Sequence, residues 1–162
     1  MAEDAECLLA YMRRLVSEPD NNVPLNVGEL PNSSESQVQA IEGLASIAGS
    51  ALLLCFSGNE LVGRLDINGS RRDALAHVVS FGVSVDASYR RKGLGRALIA
   101  AGLGWANARP AIRRIEIEVH ERNRAAIALY EEFDFVVEGR CVGRLFQHGK
   151  YHDTLLMARN VA

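Results

Sequence analysis

The chain has 162 residues, 48% hydrophobic and 23% charged, a size and balance that suit one domain with one core across residues 1–162. Its formal charge of −2 lacks the basic excess of a general nucleic-acid binder, so no nucleic-acid partner is expected, although residues 90–96 carry a local basic patch. No apolar run is long enough to span a bilayer and the N-terminus lacks the basic-then-apolar form of a signal peptide, which points to the cytoplasm and to no membrane partner.

Cys7, Cys55 and Cys141 are odd in number and widely spaced, with no CxxC pair, so neither a disulfide framework nor a metal site is expected. Cys55 lies in an apolar run and reads as a buried, inert thiol.

Leu8, Met12, Leu15 and Val16 recur at helical spacing and predict an opening amphipathic helix, stopped by Pro19, Asn21, Asn22 and Pro24. Residues 23–33 read as loop. Ser34 with Gln37 forms a capping box for a second helix carrying Val38, Ile41, Leu44 and Ile47 on one face. Strands follow at Ala51–Phe56, Leu61–Ile67 and Val78–Val85, the first two joined by the turn Ser57-Gly58-Asn59-Glu60. A basic glycine loop then leads into a helix over 93–107, closed by Arg109-Pro110. Ile115–Val119 reads as a strand, Ala125–Phe133 as a helix, and Phe135–Val142 and Tyr151–Ala158 as a closing hairpin turned near Gly149-Lys150. The pattern predicts an α/β layer protein built around one mixed sheet.

The loop Arg90-Arg91-Lys92-Gly93-Leu94-Gly95 opens a helix. Glycines there let backbone approach a ligand, free N–H groups point at anions, and Arg90, Arg91, Lys92 and Arg96 add positive charge. A diphosphate fits. The P-loop pattern GxxxxGK[ST] is absent, and the dinucleotide turn GxGxxG fails because Leu98 stands where its third glycine belongs. On the residues alone, a turn with solvated basic side chains remains the alternative.

The loop instead follows R/Q-x-x-G-x-G/A and resembles the GCN5-related N-acetyltransferase (GNAT) superfamily. Asn123-Arg124-Ala125-Ala126-Ile127-Ala128-Leu129-Tyr130, followed by Phe135, is similar to a second motif of that superfamily, at the expected distance and in the expected order. Asp134 departs from its usual glycine. Asp tolerates the left-handed conformation needed there, so the change touches stability and nothing catalytic.

The resemblance implies a mostly antiparallel GNAT sheet, flanked by helices and splayed between the strands at 78–85 and 115–119. It implies acetyl-CoA as co-substrate, with no metal. The pantetheine arm would pair with backbone at Val83, Ser84 and Val85, and the pyrophosphate would bind across Arg90, Arg91, Lys92, Gly93, Leu94, Gly95 and Arg96. The Val83 N–H would polarise the thioester carbonyl. Asn123, Ala126 and Tyr130 follow i, i+3, i+7 spacing along one helix face, where small Ala126 leaves room for a thin ligand. Tyr130 takes the implied role of general acid toward the thiolate, a phenol of pKa ~10 serving a thiol of ~8.5. The alternative for Tyr130 is a core aromatic.

Strand alternation puts Glu116, Glu118 and His120 on one face. Glu118 matches the catalytic glutamate of bacterial ribosomal-protein alanine acetyltransferases and is the candidate base; simple ion pairing with Arg113, Arg114 or Arg122 is the competing reading. His120 and His152 are substitutes. No cysteine sits beside a histidine in any motif, so direct attack in a ternary complex is expected rather than an acyl-enzyme.

From Ser80 to Arg159 the chain is particularly similar to a bacterial branch of small-molecule acetyltransferases that includes L-amino-acid acetyltransferases. A small-molecule amine is the expected partner, an N-terminal peptide the rival acceptor, and a non-catalytic acyl-CoA sensor the rival of another class. Glu18, Asp20, Glu29 and Glu35 mildly favour a cationic acceptor. The first strand usual in relatives is missing, since Met1–Glu6 already reads as helix; either the start is assigned late, or a bare sheet edge is left that a second copy could cover as a homodimer.

Overall fold

The computed structural model describes residues 2–19 and 21–161. Four α-helices and six strands run in the order α1 (Ala2–Val16), α2 (Ser34–Ala45), β1 (Ala51–Ser57), β2 (Glu60–Asn68), β3 (Val78–Val85), α3 (Leu94–Asn107), β4 (Arg114–His120), α4 (Arg124–Glu131), β5 (Val136–Gln147) and β6 (Lys150–Asn160). The strands form one sheet in the order β1-β2-β3-β4-β6-β5, antiparallel except for β3 beside β4. Among the described residues no strand lies outside β1, so that edge of the sheet is bare.

Both tight hairpins follow from their turn residues. Gly58 takes φ 60° between Ser57 and Glu60, and His148 and Gly149 take φ 50° and 73° between Gln147 and Lys150. Two successive positive φ values match the right-handed twist of the flanking strands.

Two apolar layers enclose the sheet. Leu65 and Ile67 of β2, Val79 and Phe81 of β3, and Ile115 and Ile117 of β4 pack with Leu98 and Ile99 of α3 and Ile127 and Tyr130 of α4. On the other face, Leu8, Tyr11, Met12 and Leu15 of α1 meet Leu30 and Leu61. Period-2 alternation along each strand divides its side chains between the layers.

Local details differ from expectation. Ser33 caps α2, its Oγ accepting from the Ser36 N–H at 3.2 Å, so Ser34 is already helical and the Ser34–Gln37 box does not form. The hydroxyl nearest the first free N–H groups wins the capping position. The apolar face of α2 is only half-buried, and Gln37 is its one buried residue. Cys55 is half-buried against the core rather than enclosed, because β1 is an edge strand.

Asp134 takes φ 61° immediately after α4. The Phe135 N–H donates back to the Tyr130 carbonyl at 3.1 Å, closing the helix end. A non-glycine residue in this conformation is strained by about 1 kcal/mol. Asp134→Gly is expected to raise stability by about 0.5–1 kcal/mol, or roughly 2–4 °C in Tm. Thermal unfolding checks this, and a lower Tm would mean that the 3.9 Å ion pair of Asp134 with Arg159 outweighs the strain.

Candidate functional site

Strands β3 and β4 hydrogen-bond through only three residue pairs, Val78–Arg114, Val79–Ile115 and Ser80–Glu116. Beyond Ser80, β3 stays paired with β2 through Val85 while β4 follows β6 through His120. The sheet splits, as the resemblance predicts. The β4-facing backbone groups of Val83 and Val85 are left without ladder partners, and buried backbone polar groups demand partners.

Two cavities meet at this split. The smaller, about 210 Å³, is lined by Val83, Ser84, Val85, Arg90, Gly95, Asn123, Ala126 and Tyr130, with Leu15, Asn22, Val23 and Leu129. The larger, about 400 Å³, shares Val83, Ser84, Asn22, Val23, Asn123 and Tyr130 and continues to Glu118, Arg64 and Asp66. The first has the form of a channel for a thin chain, the second that of a cleft for its reaction partner.

The glycine loop stands at the mouth of the channel. Gly93, with φ 86°, is the N-cap of α3, and the first helical bond runs from the Ala97 N–H to the Gly93 carbonyl at 3.0 Å. The N–H groups just before Ala97 therefore have no helical acceptor, which makes an anion cradle. A Cβ on Gly95 would lie 3.3 Å from Leu129 Cδ2, so this glycine also sets how closely α3 approaches α4.

The basic side chains are more occupied than expected. The Arg90 Nε donates to the Val85 carbonyl at 2.9 Å, and its Nη2 pairs with Glu18 at 2.6 Å. Arg96 pairs with Glu132. The Lys92 ammonium sits 5.1 Å from the Tyr89 ring centre. Arg91 holds φ 62° and, with Lys92, is exposed. Arg91, Lys92, Gly93, Leu94 and Arg96 do not line the channel.

Asn123 is the N-cap of α4 rather than part of the helix face. Its Oδ1 accepts from the Ala126 N–H at 3.2 Å, leaving the amide nitrogen for the cleft. Tyr130 is buried to 6% exposure, and burial alone pushes its hydroxyl up to about 12. The phenol is therefore fully protonated at neutral pH. Tyr11, wholly buried in α1, donates to the Ser84 Oγ at 3.0 Å and ties β3 to α1.

Glu118 does not pair with the arginines expected. Its Oε1 accepts from Thr154 Oγ1 at 2.7 Å and from Arg144 Nε at 3.0 Å, while Glu116 pairs with Arg114. Both bonds use one oxygen of Glu118, so the other can accept from a ligand. His120 is 2% exposed, and burial holds it below the usual imidazole range.

The histidine belongs to a clamp that sequence reading missed. The Gln147 amide nitrogen donates to the Val23 carbonyl at 2.7 Å and the Leu25 carbonyl at 3.2 Å. Its Oε1 must then face His120 Nε2, 3.0 Å away, which makes Nε2 the protonated nitrogen. His120 Nδ1 is buried without a partner among the described residues. Arg122 adds bonds to the Asn21 carbonyl at 3.1 Å and Asn22 Oδ1 at 3.2 Å. Asn22, Val23, Pro24 and Leu25, which sequence showed only as loop, thus become a fixed wall of the cleft.

Of the acidic residues expected to flank the acceptor, Glu18 is taken by Arg90, and Glu29 accepts from the Asn26 N–H at 2.6 Å. Glu35 is exposed in the first turn of α2, and Asp20 lies outside the described residues. No group of three or more His, Cys, Asp or Glu among the described residues could hold a metal ion, and no helix is long and apolar enough to cross a membrane.

A match to the acetyltransferase (GNAT) family covers residues 20–135. The chain belongs to this family. It is an acetyl-CoA-dependent N-acetyltransferase. Over 148 residues it is 29% identical to the L-amino acid N-acetyltransferase AaaT of Escherichia coli, covering 91% of this chain and 89% of that protein. It is 32% identical over 97 residues to the spermidine N(1)-acetyltransferase of Vibrio cholerae, covering 60% of this chain and 53% of that enzyme. A GNAT-family acetyltransferase structure from Streptococcus pneumoniae superposes with TM-score 0.90 at 27% identity, over 99% of this chain and 95% of that one. A Sinorhizobium meliloti phosphinothricin acetyltransferase, solved with acetyl-CoA, shares the fold with TM-score 0.86 at 20% identity, over 100% and 85% of the two chains.

Two outcomes are expected. Gly93→Val forces a branched side chain into a left-handed position and should weaken acetyl-CoA binding at least about 10-fold by calorimetry, with the circular dichroism spectrum retained. Unchanged affinity would remove the loop from the donor site. Gln147→Leu leaves the Val23 and Leu25 carbonyls unpartnered, so hydrogen exchange across 21–25 should accelerate while that of α3 stays unchanged. Equal exchange in both proteins would mean that Arg122 and the buried Asn21 side chain hold the wall without Gln147.

Proposed function

We propose that this acetyltransferase moves the acetyl group to the primary amine of a small molecule, an amino acid in preference to other amines, by direct attack within a ternary complex. The observation that carries this reading is the junction of the two cavities at Val83, Ser84, Asn123 and Tyr130. A thioester lying in the narrow channel would present its carbonyl where the wider cleft begins. The likeness over most of its length to an L-amino acid N-acetyltransferase supports the acceptor class.

The residues divide the chemistry. Acetyl-CoA, when bound, supplies an activated acyl group and a thiolate leaving group. The Val83 N–H, freed by the split, is the donor for the carbonyl oxygen as negative charge grows there, an interaction worth roughly 3–4 kcal/mol in comparable sites. An ammonium of pKa ~10 must lose a proton before its nitrogen can attack, and Glu118 receives it directly or through water. The C–N bond forms, the C–S bond breaks, and Tyr130 protonates the departing sulfur. The remaining nitrogen proton restores the tyrosyl hydroxyl, so one proton leaves per turnover. No cysteine lines either cavity, which agrees with a single displacement.

Tyr130→Phe is expected to lower kcat about 100-fold or more while acetyl-CoA affinity stays within about twofold. Turnover equal to the parent would take Tyr130 out of the mechanism. Because burial keeps the phenol protonated until about 12, no alkaline loss of rate should arise from Tyr130 in an ordinary assay range. Glu118→Gln should lower kcat/KM at neutral pH about 10-fold or more; an unchanged value moves the base elsewhere. Thiol release across amino acids, polyamines and N-terminal peptides tests the whole reading. No acceleration by any amine would favour a sensor.

A further inference from the structure

Arg64 and Asp66 lie side by side on β2, on the face covered by α1 and α2. Their register partners on β3 are Ser84 and Gly82. The Asp66 carboxylate lies over Gly82, where a Cβ would come within 3.4 Å of Oδ2. The pair therefore sits across from the residues on either side of Val83. Both side chains are largely buried, at 18% and 17% exposure, and they hydrogen-bond to each other.

Such a pair is costly. Two charges withdrawn from water need good geometry and further hydrogen bonds to break even. Here the bond to Asp66 is the Arg64 guanidinium's one hydrogen bond among the described residues, and the rest of its N–H fork is unused. Asp66 is likewise undersatisfied: burial pushes its carboxyl up, and Arg64 only partly opposes the shift. Both residues line the reaction cleft of about 400 Å³ and also a second cavity of about 370 Å³ between α1 and α2. That second cavity is mostly apolar, walled by Leu8, Met12, Leu25, Ile41, Leu44 and Leu52, with Gln37 of α2 and Glu29 among its polar exceptions. A ligand carrying one positive and one negative charge a single carbon apart would complete both partners.

We infer that Arg64 and Asp66 are the acceptor-recognition pair and that they select a free α-amino acid with an apolar side chain. Arg64 takes the carboxylate, Asp66 holds the amine one residue from Val83, and the side chain enters the cavity between α1 and α2. This rests on the acetyl-transfer reading above and narrows its acceptor. A polyamine has no carboxylate and sets a second cation against Arg64. A peptide N-terminus has only an amide where the carboxylate would be. Each leaves the rest of the guanidinium's N–H fork unused, which is how a site built for a polar group rejects an analogue lacking it.

The test uses L-leucine, L-leucinamide and 3-methylbutylamine, which share a side chain and differ at the carboxylate. The purified chain should acetylate L-leucine with kcat/KM at least about 50-fold above the other two. Arg64→Met strips Asp66 of its counter-charge and should slow every amine, but it should erase the preference, bringing the kcat/KM ratio of L-leucine to 3-methylbutylamine to about one, chiefly through KM for L-leucine. Arg64→Lys should keep part of the preference, and calorimetric acetyl-CoA affinity within about twofold of the parent verifies that each variant is folded. Asp66→Asn should raise KM for all three amines. An equal fall for L-leucine and 3-methylbutylamine in Arg64→Met would make the pair purely structural and overturn the inference. So would a parent enzyme that prefers 3-methylbutylamine, spermidine or an alanyl peptide, although acetyl transfer to amines would stand. Acetyl-CoA binding without thiol release for any amine would overturn the enzymatic reading itself, and this inference with it.

Discussion

Two parallel strands that pair for only three residues govern the rest of this structure. A sheet normally satisfies its own backbone, and an interrupted ladder exposes N–H and C=O groups in the middle of a core. Here β3 keeps its partner β2 to the end, so one edge of residues 83–85 remains free in a position fixed by the other. The bond from Tyr11 to Ser84 and the bond from Arg90 to the Val85 carbonyl hold β3 from outside the sheet. Asn123 and Tyr130 line the opposite wall, Asn123 held by its own capping bond. The gap is a maintained feature, and the proposed placement of a thioester carbonyl beside a rigid N–H depends on it.

Charge is distributed in keeping with this arrangement. Much of the basic loop is committed to protein contacts, with Arg90 on Glu18 and Arg96 on Glu132. Under the proposed donor site, what remains for a diphosphate is mainly the free N–H groups at the start of α3, with Arg91 and Lys92 as exposed countercharge. Backbone donors lose no side-chain entropy on binding, whereas a long cation must be ordered first. Glu18 and Glu132 thus leave the cradle to recognise phosphate largely by shape.

What sequence could show follows from how local each determinant is. The glycine loop, the left-handed Asp134 and the two hairpins each rest on a few consecutive residues, and all were legible. The splay was legible only through the family resemblance, because no residue in Val78–Val85 states where pairing with β4 will end. Residues 21–25 showed only as a helix stop and loop, since apart from the local bonds of Asn21 their order comes from Gln147, more than a hundred positions away, and from Arg122. Glu118 was placed on the right face by alternation, but Arg144 as its partner was not foreseeable. That contact is set by the β5–β6 hairpin, whose bulges between Cys141 and Leu145 re-aim its side chains.

The same reasoning explains why donor and acceptor halves differ in legibility. In the proposed mechanism the donor half reads its ligand with main chain, so its sequence requirement is permissive backbone at fixed spacing, and glycine reports it. The acceptor half must discriminate among amines, which main-chain groups cannot do. Its surface is drawn from the loop at 21–25, from Arg64 and Asp66 on β2 and from Glu118 on β4, with the helices α1 and α2 closing its apolar side. Arg64, Asp66 and Glu118 act in this proposal through single side chains, which can change without moving the split in the sheet. A fold divided in this way can hold its donor chemistry constant while the acceptor varies, because the residues proposed to choose the acceptor stand next to the Val83 N–H without forming it.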